Sequence, residues 1–396
     1  MPHAHRSHST IGAAAVRTGA PAPGVHAHRV IFIDLARALA VLFMLYGHAV
    51  SALLAPEYRT GTWYEAWLFQ RGLTASLFLL LSGFAFSVAT ARYWPSHLRI
   101  SQRFLRRTRR FLTFALLGYA LHFPASRLVA LSTVSETAWR SFLAVDVLQL
   151  IGVTFVLVQL LVLATRRRGV FTAAALVLAA GIIAATPWAW TMDWSSRLPL
   201  WASSYLSPAT GSQFPLFPWA AYVLLGAALG QTYGHLGAAG LGRYATGALL
   251  VPGAALVVAG AALRPYAEAL FGVDPGSYVP SEVLIRSGTC MAILGVMAHG
   301  SRLITRLPHV FGAVAQETLL IYFVHLCIVY GSIWNTGLYQ VSGSTMPPVK
   351  VLGIVIMLIT AMTLLAWRWN AIKHTAPRAA KWISYGVGAI LLARLL

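Results

Sequence analysis

The first long apolar stretch of the chain carries an acid, a base and an imidazole where none is cheap to place. It runs Ile31-Phe-Ile-Asp34-Leu-Ala-Arg37-Ala-Leu-Ala-Val-Leu-Phe-Met-Leu-Tyr46-Gly47-His48. Ionisable groups inside a membrane span are costly, and so point to function. As a helix, the stretch separates Asp34 from His48 by about 21 Å at 1.5 Å per residue. At about 100° per residue, Asp34, Arg37 and His48 fall within one narrow stripe. That stripe offers an ion pair near one membrane surface and a titratable base toward the other. A neutral imidazole can take a proton from a hydroxyl or amine as it attacks a carbonyl. It can also act as the nucleophile and carry an acyl group itself. The plainer alternative is a helix-start pair followed by a packed core histidine.

Other polar residues interrupt later apolar stretches. Asp146 and Gln149 lie three apart, on one helical face, and Asp146 could orient or charge-tune an imidazole. Arg286 enters a further stretch. Thr318, Tyr322 and His325 share one face, with His325 a second catalytic candidate or a hydrogen-bonded core residue. The densest charge cluster holds Arg99, Arg103, Arg106 and Arg110 at a spacing that lines one face of a helix. Guanidinium forks suit phosphate oxygens; the same cluster also reads as a topology signal in contact with anionic lipid. No Ser-His-Asp triad, phosphate-binding glycine loop or metal-ligand spacing is present, so no metal is expected.

Composition sets the frame for these residues. The chain has 396 residues, of which 58% are hydrophobic and only 10% charged, against about 25% charged in soluble domains. An all-α, polytopic membrane helix bundle follows. The formal charge of +20 does not indicate a nucleic-acid partner, because the cations sit in short loops where they set membrane orientation. Cys290 and Cys327 both lie in apolar stretches and offer no disulfide framework. Residues 1–29, rich in Ala, Pro and His, read as a disordered cytoplasmic tail, and 30–396 as a single transmembrane domain. A cleaved signal peptide is not expected, since Asp34 and Arg37 interrupt the apolar run.

About eleven spans are expected, at 31–54, 72–91, 111–130, 141–164, 170–190, 214–233, 244–263, 282–300, 311–333, 348–369 and 380–396. Alternate loops separate by charge. Those holding Arg92 to Arg110, Arg166 to Arg168, Arg243, Arg302, Arg306 and Arg368 to Lys381 are expected to be cytoplasmic, which places the N-terminus inside. Asp34 and Arg37 then lie at the inner end, and His48, Asp146, Arg286 and His325 in the outer half. Two other features stand out. The Trp-rich segment 187–215 is expected to form an outer cap or an interfacial aromatic belt. Gly226-Ala-Ala-Leu-Gly230 is a small-xxx-small pair marking close helix packing, within the bundle or in a homodimer.

The run Asp34-Leu-Ala-Arg37 through Met44 and His48 resembles the first block of the transmembrane acyltransferases. These include the acyltransferase-3 enzymes and the heparan-α-glucosaminide N-acetyltransferase family. Three further blocks are similar to the second group: Leu77-Phe-Leu-Leu-Leu-Ser82-Gly83-Phe84, Val147-Leu-Gln149-Leu-Ile-Gly152, and Leu216-Phe-Pro218-Trp219-Ala-Ala-Tyr-Val-Leu-Leu-Gly226. The block Glu317-Thr-Leu-Leu-Ile-Tyr322-Phe-Val-His325 is shared more widely. Together they run in order from about residue 29 to 335.

The resemblance implies a bundle that takes an acyl group from cytoplasmic acyl-CoA, here acetyl-CoA, and passes it to an acceptor on the far side. That acceptor would be a hydroxyl or amine of an envelope carbohydrate or glycolipid, in a bacterial inner membrane. On this reading His48 is catalytic, and Asp146 and His325 join it as catalytic candidates on the strength of their own positions. Arg37 and the face from Arg99 to Arg110 receive the CoA phosphates. Gln149, Trp219, Arg286 and Tyr322 bind substrate, while Asp34, Gly83 and Pro218 are structural. The chain departs from members of the human type at three points: Ala38 stands where they have Gly after the first-block Arg, His48 stands where they have Asn, and no histidine occurs in the outer loop from Ala55 to Gln70, where their proposed catalytic histidine lies. His48 itself fits the acyltransferase-3 pattern, so the catalytic role is carried to it alone. The alternative from another class is a multi-pass transporter or glycolipid exporter that shares the bundle without the chemistry.

Overall fold

A computed structural model of the protein describes residues 30–125, 132–236, 238–271, 280–304 and 306–394. The tail expected over residues 1–29 lies outside them, as do the loop residues Arg127 and Asp274. The described residues are helical throughout, with isolated bridges at Leu54–Met346 and Ser332–Asn335 in place of strands. The chain is an all-α polytopic membrane protein.

The principal helices are α1 (Ile31–Leu53), α2 (Thr62–Ala91), α3 (Gln102–Leu121), α4 (Val147–Thr165), α5 (Arg168–Thr191) and α6 (Leu216–Leu236). They continue with α7 (Val251–Phe271), α8 (Pro280–Ser301), α9 (His309–Gln316), α10 (Thr318–Tyr330), α11 (Pro348–Thr375) and α12 (Pro377–Ala393). Helices thus occupy all eleven expected stretches. By length and composition, seven among the described residues can cross a membrane, and the bent pair of α9 and α10 makes an eighth if counted as one span. The shortfall has local causes. Helix α3 opens with five arginines between Arg103 and Arg110, α6 mixes Pro218, Gln231 and Thr232 into its apolar run, and α12 has only 17 residues.

Three boundaries differ from the expected ones. The start of α3 is fixed by Ser101, whose Oγ accepts the Phe104 N–H at 3.2 Å, a standard way to satisfy a free helix-end donor. Arg99 therefore lies in the bend ahead of the helix and not on its face. Helix α2 begins ten residues before position 72, so Gln70 and Arg71 belong to it and not to a loop. The stretch 311–333 is not one straight span: α9 and α10 meet at a 74° bend. At that bend the buried Glu317 takes a backbone conformation outside the helical region (φ −98°, ψ 25°). From α11, Lys373 Nζ donates to its carboxylate at 2.8 Å and Asn370 Nδ2 at 3.0 Å.

Packing follows the small residues. Gly83 of α2 lies against the Val223 carbonyl of α6, and Gly226 against the Leu80 carbonyl, so each backbone occupies the space a Cβ would need. Gly230 continues the crossing, where a Cβ would stand 2.6 Å from the Phe84 carbonyl. The Gly226–Gly230 pair is therefore an intramolecular contact, and Gly83 packs against the same helix. Helix α1 runs through the middle, touching α2, α8, α9, α10 and α11. Gly47 of α1 faces Arg71 of α2, and Phe32 faces Phe84, so these two helices are antiparallel. The bundle thus has one end carrying residues 31–37 and the Arg99–Arg110 segment, and an opposite end carrying His48.

Replacing Gly83 or Gly226 by Val should force α2 and α6 apart and destabilise the protein by about 1–3 kcal/mol, the range for overpacking. Gly181, with open space where a Cβ would go, is the control. Thermal unfolding in detergent should fall for Gly83→Val and Gly226→Val and stay unchanged for Gly181→Ala.

Candidate active site

At the His48 end the structure gathers four of the expected residues into one chain of contacts. His48 of α1 and His325 of α10 bring their ring centroids to 5.2 Å. Tyr322, one turn before His325 on α10, lies 5.8 Å from it centroid to centroid. The Tyr322 hydroxyl donates to Asp146 Oδ2 at 3.4 Å. Asp146 sits just ahead of α4, where its Oδ1 accepts the Val147 N–H at 2.6 Å. Its position is thus set by capping, and Gln149 follows one turn deeper. His325 is fully buried; its Nδ1 pairs with the Ile321 carbonyl at 2.8 Å and so carries the proton. Its Nε2 then presents a lone pair.

Three residues complete the cluster that spacing alone did not single out. Tyr330 places its hydroxyl 3.1 Å from His48 Nδ1, and can donate to the His48 carbonyl at 3.5 Å. It lies five residues beyond His325 and off that face, at the last turn of α10. Gly331, at φ 84°, ends the helix there in a conformation that favours glycine. His122 faces Asp146 from the end of α3, with Nε2 3.9 Å from Oδ2. Arg71 packs its stem beside Gly47 and sets its charge within reach of the His48 ring. It escaped notice because α2 extends further than its hydropathy suggests.

Several polar atoms here are buried with no hydrogen-bond partner among the described residues. They are both amide atoms of Gln149 and of Gln70, Thr74 Oγ1 and His325 Nε2. Each would cost about 1–3 kcal/mol if left dry and unmatched. Buried groups of this kind are ordinarily met by ordered water.

Of the remaining expected residues, Arg286 packs beside the segment that carries Arg71, and Trp219 and Pro218 lie elsewhere. Arg286 of α8 pairs with Glu282 at 2.8 Å and packs its guanidinium on Gly72. Trp219 packs with Phe214 at 4.7 Å and Tyr222 at 5.9 Å between ring centroids, as part of the hydrophobic core. Pro218 opens α6 after the extended Phe217 (φ −93°, ψ 119°), the conformation favoured before proline. The Phe217 carbonyl accepts Trp190 Nε1 at 2.9 Å. Trp194 is likewise tied down, to the Ala189 carbonyl at 2.7 Å, whereas Trp188 and Trp201 are exposed.

The opposite end is basic. Arg103, Arg106 and Arg110 are exposed on α3, and the Arg103 guanidinium stacks 3.9 Å from the Tyr93 ring centroid. Asp34 is buried within reach of the Arg37 charge. Arg107 is the inward-facing member of the cluster. It donates to Thr90 Oγ1 at 2.6 Å and to the Phe86 carbonyl at 3.0 Å, with His97 Nε2 3.4 Å away. Exposed guanidiniums of this kind fit a polyphosphate ligand. The described residues contain no group of three or more His, Cys, Asp or Glu side chains able to hold a metal.

The polytopic bundle thus carries a histidine-centred polar cluster at one end and exposed arginines at the other. The catalytic family model of heparan-alpha-glucosaminide N-acetyltransferase matches residues 29–262, more than half of the chain, and the chain belongs to that family. It is a family of membrane acetyltransferases that uses acetyl-CoA as donor. Comparison with curated proteins gives no match. The matched region holds His48, Asp146 and the arginine cluster but ends before α10, which brings Tyr322, His325 and Tyr330.

Burial, with the charges of Arg107 and Arg103, pushes the His97 imidazole down to about 4 from its ordinary 6.5. The folded protein therefore holds His97 neutral where the unfolded chain would protonate it. Its contribution to stability is intact above pH 6.5 and is lost as pH falls toward 4. Between those pH values the thermal stability of His97→Gln should decline less steeply than that of the unmodified protein. Parallel curves would remove His97 from the account.

Proposed function

We propose that the protein transfers an acetyl group from cytoplasmic acetyl-CoA to a carbohydrate or glycolipid acceptor reached from the opposite side of the membrane. The observation that carries this reading is the meeting of His48 and His325 at 5.2 Å, at the end of the bundle opposite the arginines. With the N-terminus cytoplasmic, as the loop charges favour, the arginine end faces the CoA pool. Arg103, Arg106 and Arg110 would hold its phosphates and Arg37 would lie along the entry. The thioester supplies an activated carbonyl.

His48 acts as the general base. Because the Tyr330 hydroxyl can donate to the His48 carbonyl, its oxygen is left to accept the Nδ1 proton. That pairing keeps the lone pair on Nε2, the tautomer a base requires. Nε2 takes the proton of the acceptor as a bond forms to the carbonyl carbon, and returns it to sulfur as the C–S bond breaks. His325 Nε2, buried beside it, accepts a hydrogen bond from a second polar hydrogen of the acceptor and orients it. Tyr322 and Asp146 hold His325 in register.

Purified protein in nanodiscs should transfer label from acetyl-CoA to a sugar acceptor. His48→Ala should reduce that rate by about 10²–10⁴-fold, the usual contribution of a general base, with CoA binding retained. Tyr330→Phe should lower kcat about tenfold, near 1.4 kcal/mol of barrier. A His48→Ala protein with undiminished transfer would overturn the assignment.

A further inference from the structure

Helix α1 runs through the middle of the bundle, yet Leu42 on it is 40% exposed. The uncovered strip is an apolar groove between α1 and α11, with a volume of ≈ 360 Å³. Leu42, Tyr46, Val50 and Leu54 line one wall at helical spacing, and α11 lines the other from Pro348 to Ile359. Among the lining residues, the Tyr46 hydroxyl is the one polar side-chain group. The groove is a built feature at its Leu54 end. There the Ala55 N–H donates to the Met346 carbonyl at 3.0 Å, the Met346 N–H to the Leu53 carbonyl at 2.9 Å, and Ser344 Oγ to the Ala52 carbonyl at 2.8 Å. These bonds tie the end of α1 to the segment that leads into α11, and so set the gap between the two helices.

We infer that this groove binds one acyl chain of a phospholipid from the leaflet at the His48 end, with the lipid phosphate on Arg59. Depth is the first argument. From Leu42 to Leu54, and from Pro348 to Ile359, each helix advances about 17–18 Å at 1.5 Å per residue. Half of a bilayer core is about 15 Å. The groove thus runs from headgroup level to the midplane, the reach of one acyl chain. Continuity is the second argument. A chain seated here joins the face that α11 turns to the hydrocarbon, where Leu352 and Ile356 are exposed. Charge is the third. Arg59 donates to the Leu54 carbonyl through Nε at 3.0 Å and Nη2 at 2.6 Å, which sets its guanidinium at the groove mouth. The Nη1 hydrogens remain to meet an anion, and guanidinium suits phosphate oxygens. Lys350 lies at a similar depth, but at about 100° per residue it falls on the side of α11 away from the groove. By the same spacing His48 lies on the face of α1 opposite the groove. A seated chain therefore packs against the back of the helix that carries the imidazole.

The test uses the full chain, reconstituted in nanodiscs of mixed phosphatidylglycerol and phosphatidylcholine, released in mild detergent and weighed by native mass spectrometry. One phospholipid should stay on the unmodified protein. Leu352 is exposed, so Leu352→Trp fills the groove without burdening the fold and should lower retention several-fold. Val258→Trp, at a comparably exposed place on α7, should leave retention unchanged. Arg59→Gln should weaken it and Lys350→Gln should not. In detergent, added phosphatidylglycerol should raise the thermal midpoint of the unmodified protein and not that of Leu352→Trp. Equal retention by Leu352→Trp and Val258→Trp, or none by the unmodified protein, would overturn the inference. So would a dimer that Leu352→Trp converts to monomer, since a second copy of the chain would then cover the groove. Equal losses in Arg59→Gln and Lys350→Gln would remove Arg59 from the headgroup site.

Discussion

The backbone contact between α2 and α6 governs the geometry of both ends of the molecule. At the crossing of Gly83 with Val223 and of Gly226 with Leu80, no side chain separates the helices. Such a contact has almost no slack, since any Cβ there would meet a carbonyl. Helix α2 is thereby fixed at its middle. One end of it presents Phe86 and Thr90, which hold Arg107; the other presents Arg71 beside His48. In lipid, where apolar surfaces gain little by hiding from their surroundings, close packing of small residues is a main source of helix association. A single crossing therefore relates the basic mouth to the histidines.

The histidine site obeys a second rule, that polar groups in a membrane must find one another. Asp146 spends one oxygen on the start of α4 and turns the other to Tyr322. His325 spends one nitrogen on its own helix. His48 is tied to the last turn of α10 through Tyr330. Each residue is oriented by the group that satisfies it, and a chain of oriented groups results. That chain is assembled from α1, α4 and α10, which are far apart in sequence.

The fold class was legible from composition, because a chain with 10% charged residues and eleven apolar stretches has no soluble alternative. The small-residue pair was also readable, since close packing needs glycine at fixed spacing. So were His48, Asp146, Tyr322 and His325, each a polar intruder in an apolar run. What stayed hidden depended on tertiary neighbours. Tyr330 lies off the His325 face, and only the end of α10 at Gly331 brings it to His48. Arg99 matched a helical spacing that Ser101 interrupts by starting the helix later. Trp219 belongs to a motif that serves packing. The break at Glu317 could not be read from hydropathy, because the charge that stabilises it comes from Lys373, more than fifty positions away.

The length of α2 has a consequence for the membrane itself. Its 30 residues make a rod of about 45 Å, while a bilayer core is about 30 Å thick. Residues 72–91 suffice for the core, so the first ten residues form a surplus. They include Trp63, Tyr64 and Trp67, of which Tyr64 and Trp67 stack at 5.2 Å, and such residues settle at the headgroup level. The surplus gives the bundle a graded collar in place of a sharp rim. A thicker or thinner bilayer can slide along that collar at small cost from hydrophobic mismatch.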